Sequence, residues 1–429
     1  MNIALLGCLI IFVLIFILRI PIAMGLIAAA ASYFLIKGAD LGIVVNQVIS
    51  IYITNFVIIA VPLFIFTANV MNTGKVTGMI FKFALSIFGR LRGALGLVNV
   101  MASLLFASMT GSAIADAAGL GKIEIAAMKE AKYDAGFSCA ITATSAVLGP
   151  TFPPSIPLVI YAMLSETSVG ALFMGGMIPA ILLAIALMIY VVIISTRRNY
   201  PRGEMVRFRD FLITSLKSIP ALLTPVILLG GIYAGVVTPT EAGATAGFYA
   251  LLISVIAYRA LGLKDFFKVV KDTVKDVGTV SIMIGAASII SYIVARENIA
   301  SSLGNWIISI SGNKYHFLLL VNVVVLILGC FIDTNTIQLV FVPILIPVAR
   351  ALGINLVHFG VVVTFNMMIG LCTPPFGMLL FITSGISDTP LKNIIKEIVW
   401  PVIAMLIVLF ILTYIPETVT AIPEFFGLM

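Results

Sequence analysis

The sequence predicts an all-α integral membrane protein of two inverted repeats, with about ten transmembrane helices and two re-entrant helical hairpins. Three observations carry this expectation: an apolar excess that only lipid can cover, two apolar segments with polar residues at their middles, and two segments broken by clusters of Gly, Pro and Thr. Of the 429 residues, 61% are hydrophobic and 10% charged. A soluble domain carries about 25% charged residues, because it must cover its surface with them. Runs of about 20 apolar residues recur along the chain, long enough to cross a hydrocarbon core of roughly 30 Å.

The apolar segments fall at 3–18, 21–36, 51–71, 94–121, 137–165, 169–196, 219–236, 240–258, 278–295, 317–349, 355–385 and 398–415. The first lacks the basic flank and small-residue cleavage site of a signal peptide, and a second span follows at once, so it reads as the first helix. Segments 94–121 and 317–349 place Thr110, Gly111, Ser112 and Asp116, or Asp333, Thr334 and Asn335, near mid-membrane. A carboxylate at the centre of a spanning helix costs about 2.5–3.5 kcal/mol. A hairpin that enters and leaves on one side explains them better, because irregular backbone is tolerated where it lines a cavity or is buried in protein. Asp116 lies about one helical turn beyond the first tip, where capping a half-helix would be role enough.

Segments 137–165 and 355–385 are interrupted by Gly149-Pro-Thr-Phe-Pro-Pro-Ser155 and Gly370-Leu-Cys-Thr-Pro-Pro-Phe-Gly377. Proline removes a backbone donor and clashes with the preceding turn, so each helix must unwind there. The two interruptions are related by arithmetic. Pro153 and Pro374 are 221 residues apart, Ser112 precedes Pro153 by 41, and Asp333 precedes Pro374 by 41. Each half, 1–217 and 218–429, is therefore a polar hairpin tip followed at equal spacing by a broken helix. Interrupted segments in corresponding positions of two halves point to a transporter's binding site.

Charge fixes the expected orientation. With the N-terminus outside, ten full crossings, and each hairpin returning to its own side, the cytoplasmic segments hold 21 of the 25 Lys and Arg residues. They are Arg19, Lys75–Arg92, Lys122–Asp134, Arg197–Lys217, Arg259–Asp276 and Asp388–Glu397; Lys37, Arg296, Lys314 and Arg350 remain outside. That asymmetry follows the positive-inside rule, and five full crossings per half make the repeats inverted. Both termini are then periplasmic. Segment 259–276 interleaves Arg259, Lys264, Lys268, Lys271 and Lys275 with Phe266, Phe267, Val269 and Val270, and reads as an interfacial amphipathic helix, with 38–50 as its counterpart in the first half. The pairs Gly231/Gly235 and Gly243/Gly247 have the spacing that lets helices approach closely.

The net charge of +7 resides in short loops, so nucleic acid is not an expected partner. Cys8, Cys139, Cys330 and Cys372 lie in apolar stretches without metal or disulfide spacing, and the two histidines, His316 and His358, are isolated. Neither metal catalysis nor a Ser–His–Asp arrangement is supported.

The chemistry then rests on the tips and breaks. Half-helix N-termini suit a carboxylate, while carbonyls of unwound turns and Ser or Thr hydroxyls suit Na⁺. Candidate substrate-binding residues are Ser108, Thr110, Ser112, Thr151, Pro154, Asp333, Asn335 and Thr336. Candidate Na⁺ ligands are Ser108, Gly111, Ser145, Gly149, Thr334, Gly370 and Thr373, with two pseudo-symmetric cation sites as the expectation. The plainer alternative is that small polar residues merely permit close helix packing.

The motifs Ser108-Met-Thr-Gly-Ser-Ala-Ile-Ala-Asp116, Ile141-Thr-Ala-Thr-Ser-Ala-Val-Leu-Gly-Pro-Thr-Phe-Pro-Pro-Ser155 and Ile369-Gly-Leu-Cys-Thr-Pro-Pro-Phe-Gly377 resemble the large membrane subunit of the tripartite ATP-independent periplasmic (TRAP) transporters, over essentially the whole chain. The resemblance implies a bacterial inner-membrane permease that takes up organic acids, Na⁺-driven in many members, with a transport domain moving like an elevator against a scaffold. It also implies two partners, a small four-helix membrane subunit and a periplasmic substrate-binding protein. The overall look is similar to the sialic acid branch, with C4-dicarboxylates next. Asn335 stands where a proline is common in the family, a departure that bears on tip geometry. A free-standing Na⁺/dicarboxylate symporter of the same superfamily is the alternative. A membrane enzyme such as a lipid-linked transferase would need polar clusters on outside loops, where only four basic residues lie.

Overall fold

The computed structural model describes residues 3–18, 20–72, 75–88, 91–203, 207–299 and 313–429. The regular structure among them is helical throughout, and extended pairing is limited to one isolated bridge between Arg92 and Arg202. Arg19 and Arg90, both assigned to the cytoplasmic side by charge, lie outside the described residues.

Helices α1 (Ile3–Leu18) and α2 (Ile22–Ile36) form an antiparallel pair. Next come α3 (Gly42–Thr54) and α4 (Ala60–Met71), joined by a 3₁₀ turn and bent by 74°. Asn55 makes the corner: its backbone is extended, and its side chain accepts a hydrogen bond from Val57 N. The expected span at 51–71 is therefore divided, with its first residues belonging to the α3 arm. After α5 (Lys75–Phe88), α6 (Ala94–Thr110) and α7 (Ala113–Glu130) form the first hairpin, reaching nine residues beyond the expected 121. The first broken helix is α8 (Ala135–Ser145), α9 (Leu148–Thr151) and α10 (Ile156–Ser165), and α11 (Val169–Arg197) follows it.

The second half begins with α12 (Phe208–Tyr233) and α13 (Pro239–Leu252). Pro220 interrupts the α12 ladder, and the Tyr258 hydroxyl repairs it by accepting from Ala221 N and donating to Lys217 O. Thr238 and Glu241 cap α13 reciprocally. The next element corrects the sequence reading. Instead of an interfacial helix followed by a separate span, α14 runs unbroken from Leu263 to Arg296. Its 34 residues make a rod of about 51 Å, longer than a bilayer core. No Pro lies in 263–296, and the helix runs on through Gly278 where the charges end, so nothing in the local chemistry stops it there. The two arms thus differ: α3 is set off by a sharp bend, while its counterpart is continuous with the span.

Helices α15 (Lys314–Gly329) and α16 (Thr334–Ala351) make the second hairpin. The second broken helix is α17 (Leu356–Cys372) and α18 (Met378–Ser387), followed by α19 (Leu391–Tyr414) and α20 (Glu417–Phe425). The Pro153–Pro154 and Pro374–Pro375 peptide bonds, one in each break, are both cis.

The three largest of five apolar clusters among the described residues organise most of the packing. The largest joins the first broken helix and α11 to α15–α19, with Phe137, Tyr161, Phe173, Phe317 and Phe359 fully enclosed. A second gathers α4, α5, α6, α12 and α13, and a third ties α1–α3 to the end of α14. Gly243 and Gly247 of α13 lie against Leu63, Phe66 and Thr67 of α4, as their spacing suggested. Gly235 does otherwise: its φ of +67° ends α12, so the Gly231/Gly235 pair forms a helix terminus instead of a contact face.

Among the described residues, six helices are long and apolar enough to cross a membrane, or eight if each of two bent pairs counts as one span. Exposed apolar side chains such as Ile185, Ile189 and Val192 on α11, and Trp400, Ile407 and Phe410 on α19, form the surface that lipid would cover.

Candidate functional site

Each hairpin tip lies against the broken helix of its own half, the first in the interior and the second nearer the surface, where Phe331 and Phe376 are exposed and their rings meet. Gly111 ends α6 with a φ of +60°, a left-handed conformation that favours glycine. A Cβ there would also lie 2.5 Å from the Pro154 carbonyl oxygen, so the tip touches the first break backbone to backbone. Ser112 caps α7, its hydroxyl accepting from Ala115 N at 3.4 Å. In the second hairpin, Asp333 caps α16, accepting from Thr336 N at 3.1 Å and from the Thr336 hydroxyl at 3.2 Å. The two residues matched by equal spacing thus do the same local job. Asp116 does not cap, which corrects the sequence reading.

The second tip packs as closely as the first. A Cβ at Gly370 would fall 2.5 Å from Gly329 Cα, so α15 and α17 cross where neither carries a side chain. The halves are then tied together by Gln338 of α16, whose amide donates to the Pro157 carbonyl in the first broken helix.

A cavity of about 570 Å³ opens beside the tips. Thr110, Gly111 and Ser112 line it from the first tip, Pro150 and Ile156 from the first break, and Asp333, Thr334 and Asn335 from the second tip. Its opposite wall is α4 and α14, with Asn69, Asn72, Asp276 and Thr279. The Asn69 amide donates to Asp276 at 3.1 Å and to Thr273 at 3.2 Å, holding the two wall helices together. Among the described residues, the charged side chains on this cavity are Asp276 and Asp333, and no Lys or Arg lines it.

Four substrate candidates therefore reach the cavity: Thr110, Ser112, Asp333 and Asn335. Ser108, Thr151, Pro154 and Thr336 are buried behind it, with Ser108 and Thr151 donating back to Leu105 O and Val147 O of their own helices. Of the cation candidates, Gly111 and Thr334 line the cavity, and Gly149 lies against Ser112. The Thr334 hydroxyl is buried, with no hydrogen-bond partner among the described residues. Thr373 donates to Ile369 O at 2.7 Å, and its own amide binds the Gly370 carbonyl at 3.0 Å.

Ser145 sits in a polar network that the sequence reading missed. Its hydroxyl donates to Asn99 at 2.7 Å and takes a bond from Ser103 at 3.1 Å, and Asn99 donates to Thr142 at 2.7 Å. Asn99 and Ser103 are four residues apart in an apolar run, on one face of α6, a legible signal for a shared polar contact. Asp116 lies next to Ser103, yet neither its carboxyl nor that of Glu124, both buried, makes a hydrogen bond of normal geometry among the described residues. On the far side, Asn366 donates to Asn322 O at 2.9 Å and to its side chain at 3.0 Å, and Asn322 donates to Thr413 at 2.8 Å.

Known proteins resemble this chain in sequence over most of its length. Residues 9–418 match the family described as the tripartite ATP-independent periplasmic transporter, DctM component. The chain belongs to that family. It is 40% identical to the sialic acid TRAP transporter large permease protein SiaM of Vibrio cholerae, across 95% of each chain. It is 36% identical to the sialic acid TRAP transporter permease protein SiaT of Haemophilus influenzae, covering 97% of this chain and 68% of that one. It is also 36% identical to the C4-dicarboxylate TRAP transporter large permease protein DctM of Pseudomonas aeruginosa, across 87% of this chain and 88% of that one. These relatives are transporter permeases and not enzymes, so the chain is a TRAP large permease subunit for solute uptake.

Proposed function

We propose that this TRAP permease subunit takes up an organic acid by Na⁺ symport, with sialic acid as the first candidate and a C4-dicarboxylate as the second. The observation that carries the coupling is the charge of the tip cavity. Among the described residues it has two carboxylates and no basic side chain, so an organic anion finds favourable charge there only at half-helix N-termini and at bound cations. Anion affinity would then require cation occupancy, which is what symport needs. Na⁺ would be held by carbonyls and hydroxyls around Gly111, Ser145 and Gly149 on one side, and around Thr334, Gly370 and Thr373 on the other, with Ser108 behind the first tip. The substrate preference rests on the identity to SiaM.

The same reading divides the chain at about residue 217 into inverted repeats. Hairpins and broken helices form the moving transport domain, and α1–α5 with α12–α14 form the scaffold. By the charge asymmetry, the tip cavity opens toward Asn72 and Asp276 on the cytoplasmic side, an inward-facing state, with both termini periplasmic. The exposed scaffold faces would seat the small four-helix subunit in the inner membrane, and the outer surface would receive the loaded periplasmic binding protein. The alternative, a free-standing symporter, needs neither partner.

The test is uptake of labelled sialic acid by proteoliposomes holding the assembled complex, with Na⁺ replaced by K⁺ at fixed buffered pH. Loss of uptake in K⁺, with recovery on an inward Na⁺ gradient, is expected. Equal uptake in both media removes the Na⁺ assignment, and uptake of succinate but not sialic acid moves the substrate to the C4-dicarboxylates.

A further inference from the structure

Three helices that line the tip cavity also line a second one. Helix α10 contributes Ile156 to the first and Ser165 to the second, α14 contributes Asp276 and then Ser291, and α16 contributes Asn335 and then Arg350. At 1.5 Å per residue, Asn335 and Arg350 are separated by about 22 Å along α16. The second cavity therefore lies near the other end of the helices, on the side that the charge asymmetry places outside. Its volume is about 520 Å³, close to that of the tip cavity.

The chemistry of the two cavities differs, the outer one adding a cation to a single carboxylate. The outer one carries Arg350 and Glu166 in a wall of neutral donors that includes Ser50, Ser288, Ser291 and Tyr292. Among the described residues, Arg350 takes part in none of the ion pairs, not even with Glu166 across the same cavity. The Ser291 hydroxyl is buried and has no hydrogen-bond partner there. A guanidinium without a carboxylate partner presents a planar donor fork that fits a carboxylate. An unsatisfied buried hydroxyl is a standing cost that a ligand hydroxyl would remove.

We infer that the outer cavity is an entry site for a hydroxylated carboxylate, with the carboxylate on Arg350 and a hydroxyl on Ser291, occupied before the tips take the substrate. The inference rests on the organic-acid reading above and adds a second substrate site to it. The Arg350 site attracts the anion on the outside, while Asp276 and Asp333 repel an anion that has arrived without cations. Loading is thereby favoured outside and release inside.

The experiment uses the assembled complex in proteoliposomes, with initial uptake of labelled sialic acid measured against the concentration of loaded binding protein. Arg350→Gln should raise the half-saturating concentration about tenfold, as expected for one lost charge-assisted contact, with the maximal rate kept within about twofold. Arg350→Lys should recover most of the loss. Ser291→Ala, which changes an interior side chain that no docked protein touches, should raise half-saturation about threefold. If Arg350→Gln leaves half-saturation unchanged, or lowers only the maximal rate, the entry site is wrong while the permease reading stands. If Arg350→Gln acts and Ser291→Ala is silent, the arginine serves the docked protein and the site is again overturned. A wild-type complex that takes up no organic acid removes both readings at once.

Discussion

Replacing Gly370 by alanine probes the second cation site through packing alone. The added Cβ would sit 2.5 Å from Gly329 Cα and 2.6 Å from its carbonyl carbon, backbone atoms that cannot swing aside. Relief requires α15 and α17 to part by about 1 Å, and overpacking of this kind costs about 1–3 kcal/mol. The strain falls on the Gly370 carbonyl, which accepts from Thr373 N at 3.0 Å and is a proposed Na⁺ ligand. If the whole cost is taken from cation binding, the half-saturating Na⁺ concentration rises about 5- to 150-fold. Gly385→Ala on α18 is the control, because nothing lies within 4 Å of a Cβ there, and alanine in a helix interior is favourable by about 0.5–1 kcal/mol. Uptake by the assembled complex should be measured across Na⁺ concentrations for both variants, alongside thermal unfolding. A Gly370→Ala protein with normal Na⁺ dependence and normal stability would refute the reasoning.

Further predictions follow from the same contacts. Thr373→Val removes a hydroxyl at nearly constant shape, so half-saturating Na⁺ should rise with folding intact, as read by uptake and by size-exclusion profile. Asn366→Leu should lower unfolding stability by about 1–3 kcal/mol, because the partly buried Asn322 loses its donor, and adding Asn322→Leu should cost less than the sum of the single changes. Single cysteines at Arg202 and Lys271, with the native cysteines removed, should react with a membrane-impermeant reagent only from the cytoplasm. Cysteines at Lys37 and Lys314 should react only from outside; a shared side for Lys271 and Lys314 excludes the inverted topology.

The features that read well from sequence are local in cause. Gly111 and Ser112 mark a tip because a left-handed turn and an N-cap need those residue types, and Pro153–Pro154 and Pro374–Pro375 mark breaks because proline cannot sustain the helical ladder. Ser112 and Asp333 could be matched by counting alone, and both prove to be caps. What was not legible depends on partners far along the chain. Gln338 meets Pro157 across 181 residues, and Asn69 meets Asp276 across 207, so neither could be assigned to the cavity region beforehand. The long α14 was misjudged for a different reason. The change from basic to apolar residues near 277 marks where the environment changes, but a helix stops only where proline or a lost hydrogen bond breaks its ladder, and Gly278 alone does neither.

The most direct test of the whole is uptake of labelled sialic acid into proteoliposomes under an inward Na⁺ gradient, in three preparations. The first holds this chain alone, the second adds the small four-helix subunit, and the third adds the loaded periplasmic binding protein. Strong uptake is expected only in the third, since the binding protein supplies the acid to the outer face and its docking must favour the outward-facing state. Robust uptake of free acid by the chain alone, at a rate that neither partner improves, would contradict the tripartite assignment and identify a free-standing symporter.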